Sequence, residues 1–378
     1  MKSALCARLG IEFPLFAFSH CRDVVAAVTN AGGMGVLGAV GHTPETLEIE
    51  LAWIDDKVKG KPYGVDLLIP NKMEGKEGDV SAAELEARVP PEHRAYVEDL
   101  LRRNGIATDG LWDGTFTNAQ GENMRGDGAE RLLDVAFAHP IGMIVNALGV
   151  PPESMFARAR RKGIPVGALT GAREHAVRHA QAGVEVLIVA GTEAGGHCGE
   201  VSTMVLVPEV IEAVDRFPGV FVLAAGGIAT GRQMAACMAM GAHGAWTGSV
   251  WLTTAEAETT GVVKRKMLAA SSRDTVRSRS RTGKYTRQLR SPWTDAWGAE
   301  GAPDPLPMPL QGLVAKRALA RVDKLAEGGH PGAQALATYY VGQAVGLMNV
   351  ETSAREVVYD FMRDYAEAVE RLAGTVAD

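Results

Sequence analysis

No two of the four cysteines, Cys6, Cys21, Cys198 and Cys237, stand at the short spacing of a metal or redox pair. The opening MKSALCARLGIEFPLF has no apolar run long enough for export, so the thiols read as reduced groups of a cytoplasmic protein. A membrane span is missing too, since no stretch approaches the roughly 20 apolar residues that one needs. Positive charge is not in excess: the formal net charge is −6, which gives no general attraction for nucleic acid or an anionic membrane. There is no GxxxxGK[ST], no HExxH and no CxxC, and NAGGMGVLGA (30–39) lacks the GxGxxG spacing. No metal site is expected. What the chain does have is 46% hydrophobic residues and 44 glycines, many placed just after apolar runs, where a backbone can approach a ligand closely.

Those apolar runs alternate with helical patterns. Eight strands are expected, at 13–17, 35–39, 63–69, 141–146, 165–169, 186–190, 220–225 and 244–250. Each is nearly continuous in Val, Ile, Leu and Ala, as strands covered on both faces are. The pattern suggests a (β/α)8 TIM barrel over residues 1–255, with an open doubly wound sheet as the rival, because only closure differs. The rhythm breaks at 71–130, a polar insertion with one helix in PPEHRAYVEDLLRRNG. Residues 256–378 form a substrate-loop and helical region. HPGAQALATYYVGQAVGLM and SAREVVYDFMRDYAEAVERLAG read as its helices, and they offer a face either to their own barrel or to a homodimer partner. Insertion and tail together should make a smaller, mainly helical cap on the C-terminal face of the barrel.

Chemistry is expected at the strand ends. GTEAGGHCG (191–199) closes the sixth strand, where Gly195 and Gly196 let the backbone pass a planar ligand and His197 can take a proton near neutral pH. A surface histidine in a turn is the plainer reading. Glu193 reads equally as a helix-start carboxylate, and Cys198 as a thiol that need not face His197. AAGGI (224–228) and TGSVW (247–251) end the seventh and eighth strands, where barrels commonly hold a phosphate on backbone N–H groups, although both could be ordinary tight turns. His175 and His179, four apart on a helix, read as exposed positions. The seven arginines and lysines of 273–290 form either a solvated face or a clamp for an anionic substrate or coenzyme tail.

TNAGGMGVLGA (29–39), GTEAGGHCG (191–199), AAGGIATGRQMAACMAMGAHGAWTGS (224–249) and TVRSRSRTGKYTRQLR (275–290) occur in one order. On these pieces the chain resembles the nitronate monooxygenase (2-nitropropane dioxygenase) family, which is related to FMN-dependent enoyl-acyl-carrier-protein reductases. The resemblance implies a TIM barrel and a non-covalent FMN. It assigns His197 the catalytic role. Gly226, Gly227, Gly248 and Ser249 would cradle the flavin phosphate, and Gly195 and Gly196 would pass the isoalloxazine ring. Ala17, Phe18 and Ser19 would lie under the flavin, with Thr170 and Asp66 at further flavin-facing positions. The chain departs from the family pattern by reading Ala17-Phe18-Ser19-His20 after strand one, and Asp66 where relatives carry asparagine. A carboxylate donates no hydrogen bond unless protonated. The implied activity is oxidation of an alkyl nitronate by O2 to a carbonyl compound and nitrite. The alternative is reduction of an enoyl or related acyl thioester with NAD(P)H, and a third reading is a flavin-binding protein without turnover.

Overall fold

A computed structural model describes residues 3–69, 82–114, 123 and 128–375. The barrel strands are β1 (Leu15–Ser19), β2 (Met34–Gly38), β3 (Gly64–Leu67), β4 (Met143–Asn146), β5 (Val166–Thr170), β6 (Val186–Ala190), β8 (Phe221–Ala225) and β9 (Gly244–Thr247). All neighbours pair in parallel, and β9 returns to β1 through the register Leu15↔Ala245, Phe16↔Trp246 and Ala17↔Thr247. That last pairing closes the barrel and removes the open-sheet alternative.

Alternation along each strand divides the apolar side chains into two clusters. Phe16, Met34, Val36, Met143, Val145, Ile188, Leu223 and Trp246 fill the barrel interior. Leu15, Ala17, Leu37, Val65, Leu187 and Val222 point the other way, into the layer beneath the helices. The helix Pro44–Val58 shows how the local sequence sets an element. Thr43 caps it and accepts from the Thr46 N–H, Pro44 takes the first turn, and Leu47, Leu51, Ile54 and Val58 make one buried stripe.

The tail differs from its expected form. Residues 330–348 are not one helix: Pro331–Leu336 is α-helical, Tyr340 then bridges to Gln288 in extended backbone, and Gln343–Leu347 is a short 3-10 helix. The Tyr339-Tyr340-Val341 run followed by Gly342 favours extended chain over helix, which overrides the apolar spacing. An unexpected helix, Leu310–Glu327, packs against the insertion helix Pro91–Arg103. The strand expected at 244–250 stops at Thr247, because the chain turns into a 3-10 helix, Ser249–Thr253, and the Trp251 indole N–H donates back to Thr247. The basic run folds into a hairpin, β10 (Thr275–Ser278) and β11 (Thr286–Leu289), with the two-residue β7 (Gly196–His197) as third strand.

The last helix, Ala354–Ala373, lies along the helix Gly231–Ala239 so closely that a Cβ at Gly231 would sit 1.9 Å from the Phe361 carbonyl oxygen. Arg232 clasps Asp364 through its backbone N–H and its guanidinium. Val358 and Phe361 of this helix are buried against the chain's own barrel. The insertion helix reaches the tail through His93 to the Asp304 carbonyl and Tyr96 to the Ala296 carbonyl. Most of the two polar stretches NKMEGKEGDV and GTFTNAQGENMRGDG lies outside the described residues.

Candidate active site

A cavity of about 530 Å³ opens at the C-terminal ends of the barrel strands, within the usual range for a small-molecule or cofactor site. Phe18, Leu169, Ile188, Ala225 and Trp246 give it an apolar floor, into which Asp66 brings a carboxyl group. Tyr339, Tyr340 and Asp323 from the tail close the other side. The glycine segments 195–196, 226–227 and 248 form its rim.

His197 stands on this cavity. Antiparallel pairing of β7 with β11, Thr286↔His197 and Arg287↔Gly196, fixes its backbone, so the tail hairpin sets where the ring sits. The side chain is exposed, but the surface it exposes belongs to the cavity wall. Its pKa lies below the ordinary histidine value of 6.5. Removal from bulk water is the main cause, the Lys284 charge adds to it, and a backbone hydrogen bond with Tyr285 works in the opposite direction. The ring is therefore neutral at pH 7 and able to accept a proton. Cys198 is not on the cavity, which removes the thiol reading. Glu193 proves to be a helix-start group: its Oε2 accepts from both the N–H and the hydroxyl of Thr203, at 2.9 Å each, where the helix Thr203–Val214 begins.

The rim at the ends of β8 and β9 is built from backbone. Gly226 and Gly227 have φ of 98° and 72°, a region open to glycine and strained for other residues. A Cβ at Gly226 would also approach the Thr203 hydroxyl to 2.9 Å. The turn is held from behind by the Gln233 side chain, which donates to the Gly227 carbonyl at 2.7 Å and accepts from the Ala229 and Thr230 N–H groups. Among the described residues, no acceptor meets the N–H groups of Gly227, Gly248 or Ser249. The Ser249 hydroxyl accepts from the Gly342 N–H at 2.8 Å, which leaves its own O–H and the backbone N–H as donors.

Other residues expected at the site divide. Phe18, Ser19, Asp66, Gly195 and Gly196 line the cavity. Ala17 does not: its side chain faces the helix layer, as the alternation along β1 requires. Thr170 is also absent from the wall, because its hydroxyl pairs with Nδ1 of His179 at 3.1 Å in the layer outside β5. His179 is therefore not the exposed helix position that its spacing suggested; it is 3% exposed, and burial holds its pKa down at about 4. Gly195 makes its close approach to the tail, since a Cβ there would lie 2.8 Å from the Gly342 nitrogen. The cavity takes in His20, which belongs to the departure from the family pattern, and also Trp246, Glu258, Asp323, Tyr339 and Tyr340, for which the sequence suggested no site role. They come from segments far apart in the chain and carry no common motif.

Four of the seven cations of the basic run are engaged within the protein, while Arg273 and Lys284 are exposed. Arg279 binds Asp304 and the Pro305 carbonyl, Arg281 the Thr338 carbonyl and Gln288, Arg287 the Thr192 carbonyl, and Arg290 Asp295. These side chains fasten the hairpin to the barrel and tail.

The nitronate monooxygenase family model matches residues 2–364. The chain belongs to the nitronate monooxygenase family. It is therefore an oxidoreductase, which sets aside the reading of a binding protein without turnover. The Mycobacterium tuberculosis (strain H37Rv) protein named "Putative monooxygenase Rv1533" is 53% identical over 381 residues, covering 100% of both chains. A Staphylococcus aureus (strain MSSA476) protein named "Probable nitronate monooxygenase" is 25% identical over 77% of this chain and 79% of its own. Among solved structures, nitroalkane oxidase from Streptomyces ansochromogenes is similar with a TM-score of 0.77 and 26% identity, covering 98% of this chain and 100% of that one. FabK from Thermotoga maritima shares the fold at a TM-score of 0.72 and 24% identity, covering 100% of each chain. No helix among the described residues is long and apolar enough to cross a membrane.

Proposed function

We propose that the chain holds one FMN in this cavity and oxidises alkyl nitronates with O2 to a carbonyl compound and nitrite. The observation that carries the reading is a neutral His197 on the same cavity as the free N–H groups of Gly227, Gly248 and Ser249. The residues fit the cofactor. The two positive-φ glycines leave room for a close phosphate, the free N–H groups are donors for it, and the floor between Phe18 and Trp246 is apolar enough for a flat ring. When bound, FMN would supply the electron transfer and the reaction with O2.

The protein's own part is proton handling and positioning. A nitronate arrives already deprotonated at the α-carbon and needs no base. A neutral nitroalkane does need one, and Nε2 or Nδ1 of His197 is the group on the cavity wall whose depressed pKa leaves a free lone pair at pH 7. Lys284, whose charge acts on His197, also makes the potential at that wall more positive, which favours an anionic substrate. The tail covers the cavity and limits access of water.

Reduction of an enoyl thioester with NAD(P)H is the second reading, and no specific observation favours it. It drew on the arginines of 273–290 as phosphate holders, and Arg279, Arg281, Arg287 and Arg290 are engaged within the protein. Anaerobic mixing of the FMN-loaded protein decides between the two. Rapid bleaching by a nitronate without nicotinamide is expected. Bleaching by NAD(P)H alone, with reoxidation by an enoyl thioester, would overturn the nitronate reading.

A further inference from the structure

Asp66 sits at the third position of β3. Its neighbours Val65 and Leu67 face the helices, so alternation sends the Asp66 side chain into the barrel and onto the cavity floor. It is 4% exposed, and its Oδ1 has no hydrogen-bond partner among the described residues. A buried carboxylate in an apolar wall without a partner is far more costly than a neutral acid, and proteins answer that cost by keeping the proton.

The surroundings support the acid form. β2 and β4, packed on either side, put Gly38 and Val145 opposite Asp66 in the register. Neither titrates. The titratable groups elsewhere on the cavity are His20, His197, Glu258 and Asp323, with Cys21 and the Tyr339–Tyr340 pair. Among the described residues none of them bonds to Asp66 and no cation offsets its burial, which pushes its pKa well above the usual carboxyl value. His20 is turned elsewhere, with Nδ1 2.7 Å from the Gly38 carbonyl oxygen.

We propose that Asp66 is held as a neutral carboxylic acid whose O–H donates a hydrogen bond to an acceptor atom of the flavin. This rests on the FMN reading above for the identity of the acceptor, but not for the protonation state. An acid here does what a side-chain amide would do as donor, and it adds something an amide cannot: the donor vanishes when the proton is lost. Flavin binding then depends on pH through a residue of the floor, separately from any base on the wall.

Two measurements test the two halves. Infrared difference spectra of the flavin-free protein against D66N at pH 7 should show the carbonyl band of a protonated carboxylic acid. A carboxylate pair of bands instead would overturn the acid form, whatever becomes of flavin binding. On adding FMN the acid band should move to lower frequency, and an unmoved band would overturn the donor role. FMN affinity is the second readout. D66N should bind within about threefold of wild type at pH 7, and D66L about tenfold more weakly, as expected for one lost buried hydrogen bond. Raising the pH should weaken wild type and leave D66N level. Parallel pH curves for the two proteins would overturn the proposal. An acid band in a protein that binds no FMN would sink the flavin reading and the donor role, and leave the acid form standing.

Discussion

The two sides of the cavity are made in different ways. The floor and rim come from the ends of parallel strands, each carrying its own short signal: Gly226-Gly227 after β8, Gly248-Ser249 after β9, Phe18-Ser19 at the end of β1. The opposite wall is assembled from pieces far apart in the chain. His197 leaves β6, pairs with Thr286 almost ninety residues later, and faces a surface continued by Tyr340 through its bridge to Gln288. The floor is rigid because the barrel closes on itself; the wall is only as well placed as a small three-stranded sheet and a set of arginine contacts make it. A cofactor suits the first, and substrate chemistry the second.

The sharpest way to separate the sides is to remove the base and keep the cradle. His197→Ala should lower kcat/KM for a neutral nitroalkane by about 10²–10⁴-fold, the usual reach of a general base. Turnover of preformed nitronate should fall by less than about tenfold, and FMN should remain bound. Steady-state rates on both forms, with flavin absorbance as control, give the result; equal losses on the two forms would take the base role away from His197.

The reverse experiment damages the rim and spares the wall. Gly226→Val must adopt φ near 98° with its Cβ about to touch the Thr203 hydroxyl. Backbone strain alone is of order 1–3 kcal/mol. FMN retention through purification should drop by roughly a hundredfold, since strain and a displaced N–H both act on the phosphate. Circular dichroism should still report the barrel. Wild-type flavin affinity in this variant would mean that the phosphate sits elsewhere.

This division also explains what the sequence disclosed. The eight strands were readable because each is apolar on both faces, and the rim glycines because a strand followed by glycines and a helix is a local pattern. Beyond His197, the wall was not readable. Nothing in TYYVG announces a bridge to Gln288, and a run of seven cations gives no hint that four arginines will be taken up by carbonyls and carboxylates of the chain itself. Thr170 and Ala17 were misplaced for a simpler reason: both sit on barrel strands, but a side chain one residue out of phase faces the helices.

Thr170 leads to a smaller effect, on stability beneath the floor. His179 has its pKa at about 4 in the folded protein, against an ordinary value of 6.5, because burial disfavours its charge. Between those two values the unfolded chain binds the extra proton and the folded chain does not. Acidification from pH 6.5 toward 4 therefore removes stability, up to about 3 kcal/mol from this residue alone. His179→Gln should flatten that part of the curve of Tm against pH. The same fall in both proteins would place the acid sensitivity in other groups.

Lys284 gives the smallest and most specific test of the wall. Its charge lowers the pKa of His197 without being the main cause, which is burial. Lys284→Met keeps most of the length of the side chain and removes the charge, so the imidazolium becomes easier to form and the pKa of His197 rises. The sign for catalysis follows. The base is active only when neutral, so the ascending limb of kcat/KM against pH for a neutral nitroalkane should move to higher pH. The shift should be a fraction of a pH unit, because an exposed charge is screened by water and salt. Raising the salt concentration should move wild type in the same direction and leave the variant nearly still. An ascending limb that ignores both the substitution and the salt would mean that the titrating base is not the histidine on this wall.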